Sequence, residues 1–138
     1  MQIVPFDIEH VKQIGGNVEM YGGFAQRGPA YTLLDIRSMY PSPVFCGGGI
    51  SLWPGVAEIW VLPGPDIRKY MKSVFKAANE MITDGWTKLN LHRAHATIKA
   101  TDLTSLGWIK HFGFEQEGYM KKFGPTGKDY ILFARYAL

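Results

Sequence analysis

The stretch Val56-Ala57-Glu58-Ile59-Trp60-Val61-Leu62-Pro63-Gly64-Pro65-Asp66 decides the architecture. Val56 to Leu62 is rich in β-branched, aliphatic and aromatic residues and predicts a strand, which Pro63, Gly64 and Pro65 bring to an end. Strand side chains alternate between faces, so Glu58, Trp60 and Leu62 project together. A lone carboxylate on an otherwise apolar strand marks Glu58 as the first residue to account for.

Upstream, Trp53-Pro54-Gly55 reads as a hairpin turn back to a strand from Val44 to Leu52, softened by Gly47-Gly48-Gly49. Tyr40-Pro41-Ser42-Pro43 is a further turn, and Tyr31 to Arg37 a further strand, so the centre of the chain is an antiparallel meander. The N-terminus contributes a strand from Gln2 to Phe6. A helix then starts at Asp7, whose carboxylate suits an N-cap, and presents Ile8, Val11 and Ile14 before Gly15-Gly16 stops it. Asn17 to Pro29, with three glycines and a proline, reads as a loop or a short helix.

Downstream, Asp66 is the expected N-cap of the longest helix. Ile67, Tyr70, Met71, Val74, Ala78, Met81 and Ile82 recur at three- and four-residue steps, and Gly85 is the expected stop. Lys88 to Ala94 predicts a short buried strand. Asp102 to Phe112 predicts a helix with Leu103, Leu106 and Ile109 on one face and Gly113 as its C-cap. Glu117 to Phe123 and Tyr130 to Tyr136 predict a final hairpin around Gly124-Pro125-Thr126-Gly127. Strand, helix, three strands, helix, strand, helix, two strands is the order of a mixed α/β sheet covered by helices, in one domain over residues 1–138.

Composition narrows the class. Of 138 residues, 46% are hydrophobic and 20% charged, as in ordinary globular domains. No apolar run approaches the ~20 residues of a membrane span. Met1-Gln2-Ile3-Val4-Pro5 has no basic lead and no apolar core, so a secretory signal is not expected. The single Cys46 has no intramolecular partner, and the expected location is the cytoplasm. The net charge of +3 comes from scattered basic residues, so a nucleic-acid partner is not expected; such a partner would show steeply salt-dependent binding. His92 and His95 are three apart but lack an acidic or cysteine partner at ligand spacing, so no metal is expected. A proton-relay role for His95 has nothing in the sequence to support it. Cys46 reads as a small core residue, and Trp53, Trp60, Trp86 and Trp108 as core or groove wall.

Two segments carry a resemblance. Leu106-Gly107-Trp108-Ile109-Lys110-His111-Phe112-Gly113-Phe114-Glu115 resembles the late helix of the GNAT superfamily of N-acetyltransferases, which ends in Gly-Phe and an acidic strand. Val56 to Pro63 resembles that family's central strand, and the element order matches throughout. Gly48-Gly49-Ile50, Trp53 to Trp60, Glu117-Gly118 and Phe123 to Tyr130 are also similar to GNAT-like proteins of bacteriophages and prophages.

The resemblance implies a central twisted sheet of about seven strands with helices on both faces. It also implies acetyl-CoA as cosubstrate and an amine acceptor of unknown identity, and allows a homodimer. The pantetheine arm would lie between two splayed parallel strands against the backbone of Ile59, Trp60, Val61 and Leu62. The pyrophosphate would sit at the next helix, at Gly64, Arg68, Lys69 and Tyr70. Ser105, Trp108 and Phe112 of the late helix would complete the cofactor side.

Here the chain departs from the family's pattern. No glycine follows Gly64 in the loop, Pro65 has no N–H, and Asp66 adds negative charge. Arg68 and Lys69 would bind phosphate through side chains, or else are solvated residues of a first helical turn.

Acyl transfer needs a base for the amine, a donor for the thioester carbonyl and an acid for the thiolate. Glu58 is the candidate base, the alternative being a carboxylate paired with Arg or Lys. The N–H of Val61 or Leu62 is the candidate carbonyl donor. The family's usual acid, a tyrosine, is replaced by Ile109; the Trp108 indole does not titrate, which leaves Tyr119 or Tyr130. The expected activity is direct transfer of an acetyl group to an amine. The alternative is a non-catalytic phage accessory or virion protein that keeps the fold as an interaction module.

Overall fold

The computed structural model describes residues 1–138 and arranges seven strands in one sheet of order β1-β2-β3-β4-β5-β7-β6. The strands are β1 (Gln2–Pro5), β2 (Ala30–Asp35), β3 (Ser42–Trp53), β4 (Val56–Pro63), β5 (Arg93–Lys99), β6 (Glu115–Met120) and β7 (Tyr130–Arg135). The helices are α1 (Ile8–Ile14), α2 (Val18–Ala25), α3 (Met71–Lys88) and α4 (Leu103–Ile109). Every neighbouring pair is antiparallel except β4 and β5. The mixed α/β architecture expected from the sequence is the observed one.

Local chemistry explains most boundaries. Asp7 caps α1 by accepting from the Glu9 N–H, and Gly15 ends it with φ 92°. Asn17 caps α2 by accepting from the Met20 N–H, so the glycine-containing stretch left open between loop and helix is a helix. Asp102 caps α4 through the Ser105 N–H, and Gly113 (φ 80°) closes the 3-10 turn Lys110–Phe112 that follows.

Four expectations shift. Asp66 makes no side-chain cap; it pairs with Lys69, and a 3-10 turn over Ile67–Tyr70 precedes α3, which begins at Met71. Gly85 does not stop α3, because Trp86 just beyond it is buried against Phe114 and Phe133 and draws the helix on to Lys88. The chain then turns through Asn90 in the left-handed region, and the strand expected at Lys88 to Ala94 lies at Arg93–Lys99. The final hairpin is also shorter at its turn. Lys122 adopts φ 57° and gives its N–H to Asp129, which places Phe123 outside β6.

The core lies on both sheet faces. Leu33, Val44, Phe45, Ile67, Val74, Ala77 and Met81 pack under α3, and Trp86, Ala94, Phe114 and Phe133 continue that layer. On the opposite face Val11, Cys46, Ile50, Trp60 and Leu62 pack under α1 and α2. Cys46 is fully buried, and burial pushes its thiol pKa up, as expected of a core residue. Trp53 departs from expectation. It stands 62% exposed at the β3–β4 hairpin.

His10 ties α1 to the sheet. Its Nδ1 accepts from the Asp7 N–H at 3.2 Å and contacts Thr32 Oγ1 at 2.8 Å, and Thr32 in turn meets Cys46 Sγ at 3.3 Å. Protonating Nδ1 removes the lone pair that holds the start of α1. Burial holds the His10 pKa below its ordinary 6.5, and burial followed by Arg93 does the same for His95. Between the folded and unfolded values the unfolded chain binds more protons. The stability from both residues is therefore present above pH 6.5 and lost as pH falls below it. A melting temperature that drops from pH 7 to pH 5, and drops less in His10→Asn, is the expected result; equal slopes would show that His10 is uninvolved.

Candidate functional site

Strands β4 and β5 pair over three positions only, Val56 with Arg93, Ala57 with Ala94 and Glu58 with His95. Beyond Glu58 they part. β5 keeps its pairing with β7 out to Lys99, while β4 keeps β3 out to Pro63. The sheet thus divides into two halves joined at one end.

The alternation of backbone groups shows what faces the gap. Gly49 gives its N–H to Pro29 on the β2 side, and the Gly64 N–H goes to Val44. Even-numbered residues of β3 therefore turn toward β4, and their partners Glu58, Trp60 and Leu62 turn back toward β3. In the last parallel pair the Ile59 N–H goes to the His95 carbonyl, so the Ile59 C=O and the Val61 N–H and C=O face the gap with no strand to receive them. Val61 is also 52% exposed.

A groove of about 730 Å³ runs through this split. On the α3 and α4 side its walls include Ile82, Trp86, Ser105, Trp108, Ile109 and Phe112. On the α1 and α2 side they include Tyr21, Phe24, Arg27 and Trp60. The Tyr21 and Phe24 rings lie 5.5 and 5.9 Å from Trp60, a compact aromatic wall. Trp60 Nε1 is buried without a hydrogen-bond partner, so this wall also carries one unsatisfied donor.

Glu58 stands where the strands begin to part, half-buried and lining the groove. It belongs to none of the five ion pairs, so the alternative of a carboxylate tied to a cation is not what the structure shows. Beside it on the same sheet face are His95, Arg93 and Glu117. Arg93 holds Glu117 through two bonds of 3.0 and 2.6 Å and gives its Nε–H to His95 Nδ1 at 3.3 Å. Those bonds keep the Glu117 carboxyl below the usual carboxylate range.

The turn after β4 is committed internally. The Gly64 N–H is spent on Val44 at 2.9 Å, and a side chain at Gly64 would come within 2.6 Å of the Val44 carbonyl oxygen. Arg68 Nη2 donates to Thr104 Oγ1 at 2.8 Å, tying this turn to α4. Lys69 pairs with Asp66 at 3.2 Å. Tyr70 lies under the Arg37 guanidinium, 4.9 Å from ring centre to Cζ.

No protein-family model matches the sequence, and no curated protein matches it significantly. Solved structures do match the fold. A point variant of the spermidine N-acetyltransferase SpeG from Vibrio cholerae superposes with TM-score 0.77 at 12% identity, covering 99% of this chain and 95% of that one. The NatC complex bound to Gag peptide and CoA matches with TM-score 0.78 at 16% identity over the whole of both chains. The ribosomal-protein-alanine N-acetyltransferase from Brucella melitensis gives 0.76 at 14%, covering 99% and 100%. The chain has the GNAT acetyltransferase fold.

Within the GNAT fold, the residues singled out from sequence divide. Glu58, Ile59, Trp60, Val61, Ser105, Trp108, Phe112 and Tyr130 all line the groove. Leu62 is buried in the α1 layer, with its backbone turned to β3. Tyr119 is away from the groove walls on the outermost strand, its hydroxyl donated to Asp129 at 2.8 Å. Arg93 and Glu117 were missed, and no local motif marks them, because their pairing spans two strands. His95 was noticed without a role, since misplacing β5 hid its register with Glu58. None of these likenesses bears on the resemblance to phage-encoded proteins.

Proposed function

We propose that the protein is an acetyl-CoA-dependent N-acetyltransferase that transfers the acetyl group directly to an amine. The carrying observation is the parting of β4 and β5 after Glu58, which turns the unpaired Ile59 C=O and Val61 N–H and C=O into a groove with a free carboxylate at its apex. An extended pantetheine arm would pair with that backbone as an added strand does. Between the two carbonyl donors considered, the alternation favours Val61, because the Leu62 N–H faces β3.

Glu58 would take the proton of the attacking ammonium. The freed nitrogen attacks the thioester carbon, gives up its second proton as the C–S bond breaks, and the departing CoA thiolate takes one. Of the tyrosines lining the groove, Tyr31 has its hydroxyl bound to Asp84, which leaves Tyr21 and Tyr130 as proton donors within the walls. Phosphate contacts would fall to the Arg68 and Lys69 side chains, which must exchange Thr104 and Asp66 for the ligand. The acceptor would lie against Tyr21, Phe24 and Trp60.

Thermal unfolding with millimolar acetyl-CoA tests this. A ligand at ~100 times its Kd adds ~2.7 kcal/mol, a rise of several degrees in Tm. That rise, absent with acetate, is the expected result. No rise would leave the fold without its cosubstrate and favour the interaction-module alternative.

A further inference from the structure

We infer that His95 is a positioning residue for Glu58, held as the Nε2–H tautomer so that it donates toward the Glu58 carboxylate through a bridging water. This rests on the acetyltransferase reading of the groove. Arginine has donors only, so the Arg93 Nε–H at 3.3 Å makes His95 Nδ1 an acceptor. The neutral ring then carries its proton on Nε2. Glu58 and His95 are register partners in the last pair before the strands part, and paired residues share a face. No direct hydrogen bond joins them, and the inferred link is a single bridging water.

Arg93 is itself fixed. Glu117 holds it with two bonds, Tyr136 donates its hydroxyl to Glu117, and the Tyr136 ring centre lies 5.6 Å from the Arg93 Cζ. The charged and titratable groups facing His95 are thus Glu58 from β4, Arg93 from β5 and Glu117 from β6. β7 offers only Ala134 opposite it, with Tyr136 just beyond. A second proton on His95 would have to enter at Nδ1, against the guanidinium. His95 therefore does not take the amine's proton, and Glu58 is the base by chemistry as well as by place.

The two arms of the test are independent. In the first, ¹⁵N side-chain spectra of the purified protein at pH 7 are expected to show His95 neutral with hydrogen on Nε2. Arg93→Gln should raise the His95 pKa. A neutral Nδ1–H form or an imidazolium at pH 7 overturns the inference whether or not the protein acetylates anything.

In the second arm, His95→Gln, which keeps a donor, should stay within about threefold of the wild type. His95→Leu should lose about tenfold in kcat, roughly one hydrogen bond to a charged group, with KM for acetyl-CoA unchanged. Its acid limb should move to higher pH, because a carboxylate that loses a donor is easier to protonate. If His95→Leu abolishes the acid limb, or costs as much as removing Glu58, His95 is the base and the inference fails. A wild type that binds acetyl-CoA but acetylates no amine refutes the activity alone, and the spectra still decide the tautomer.

Discussion

Glu58→Gln is expected to lower kcat by about 10²–10⁴-fold, the usual worth of a positioned general base, while leaving acetyl-CoA affinity within about twofold of the wild type. The separation of the two effects follows from the geometry. Cosubstrate binding is assigned to the backbone of Ile59 and Val61, which the substitution does not touch, whereas Glu58 sits at the point where the groove begins. Folding should be nearly unaffected as well. Glu58 is part of no ion pair, and Gln is isosteric, so ΔΔG is expected to stay within about 0.5 kcal/mol. The check is a steady-state rate with a panel of primary amines, beside the Tm of wild type and variant with and without acetyl-CoA. A variant that keeps both its Tm shift and its rate would remove Glu58 from the chemistry. One that loses the Tm shift too would mean that Glu58 acts in binding.

The strand that bears Glu58 was legible because its composition and its Pro-Gly-Pro ending leave few other readings. The groove beside it was not. Parting of β4 from β5 is a relation between segments some forty residues apart, set by which of them each half-sheet holds more tightly. Sequence periodicity carries no trace of it, and only the family resemblance supplied the expectation.

The fate of β5 shows how one local error conceals a site. Gly85 reads as a stop, yet the buried Trp86 next to it holds the helix together for a further turn, because burying that ring outweighs the ~1 kcal/mol glycine penalty. With the helix ended at Gly85, the sequence places the strand at Lys88 to Ala94, and His95 lies past its end. In the folded protein His95 stands in register with Glu58, and Arg93 is free to reach Glu117 across β7. The turn after β4 tells the converse story. The sequence shows correctly that Pro65 has no N–H, but only the structure shows that the Gly64 N–H is already taken by Val44.

Gly28→Ala is expected to be the most destabilising single-atom addition considered, at about 3 kcal/mol or more, or roughly 10 °C in Tm. A methyl on Gly28 would stand 1.9 Å from the Gly49 carbonyl oxygen and 3.0 Å from its carbon, with backbone on the receiving side. No side chain can rotate away, so the segment itself must move. Two hydrogen bonds fasten it, Ser51 N–H to Arg27 at 2.9 Å and Gly49 N–H to Pro29 at 3.0 Å, and displacement breaks both. The same segment joins α2 to β2 and so fixes Tyr21 and Phe24 over Trp60. The damage should therefore extend to the proposed acceptor wall while sparing the Ile59–Val61 edge on the other side of β3. At a temperature where the variant stays folded, KM for the amine should rise more than KM for acetyl-CoA. Gly23→Ala is the control, because a Cβ there meets nothing within 4 Å and adds helix propensity inside α2. If Gly28→Ala melts within about 2 °C of wild type, the approach of Gly28 to Gly49 is looser than described, and α2 is not held to the sheet by this contact.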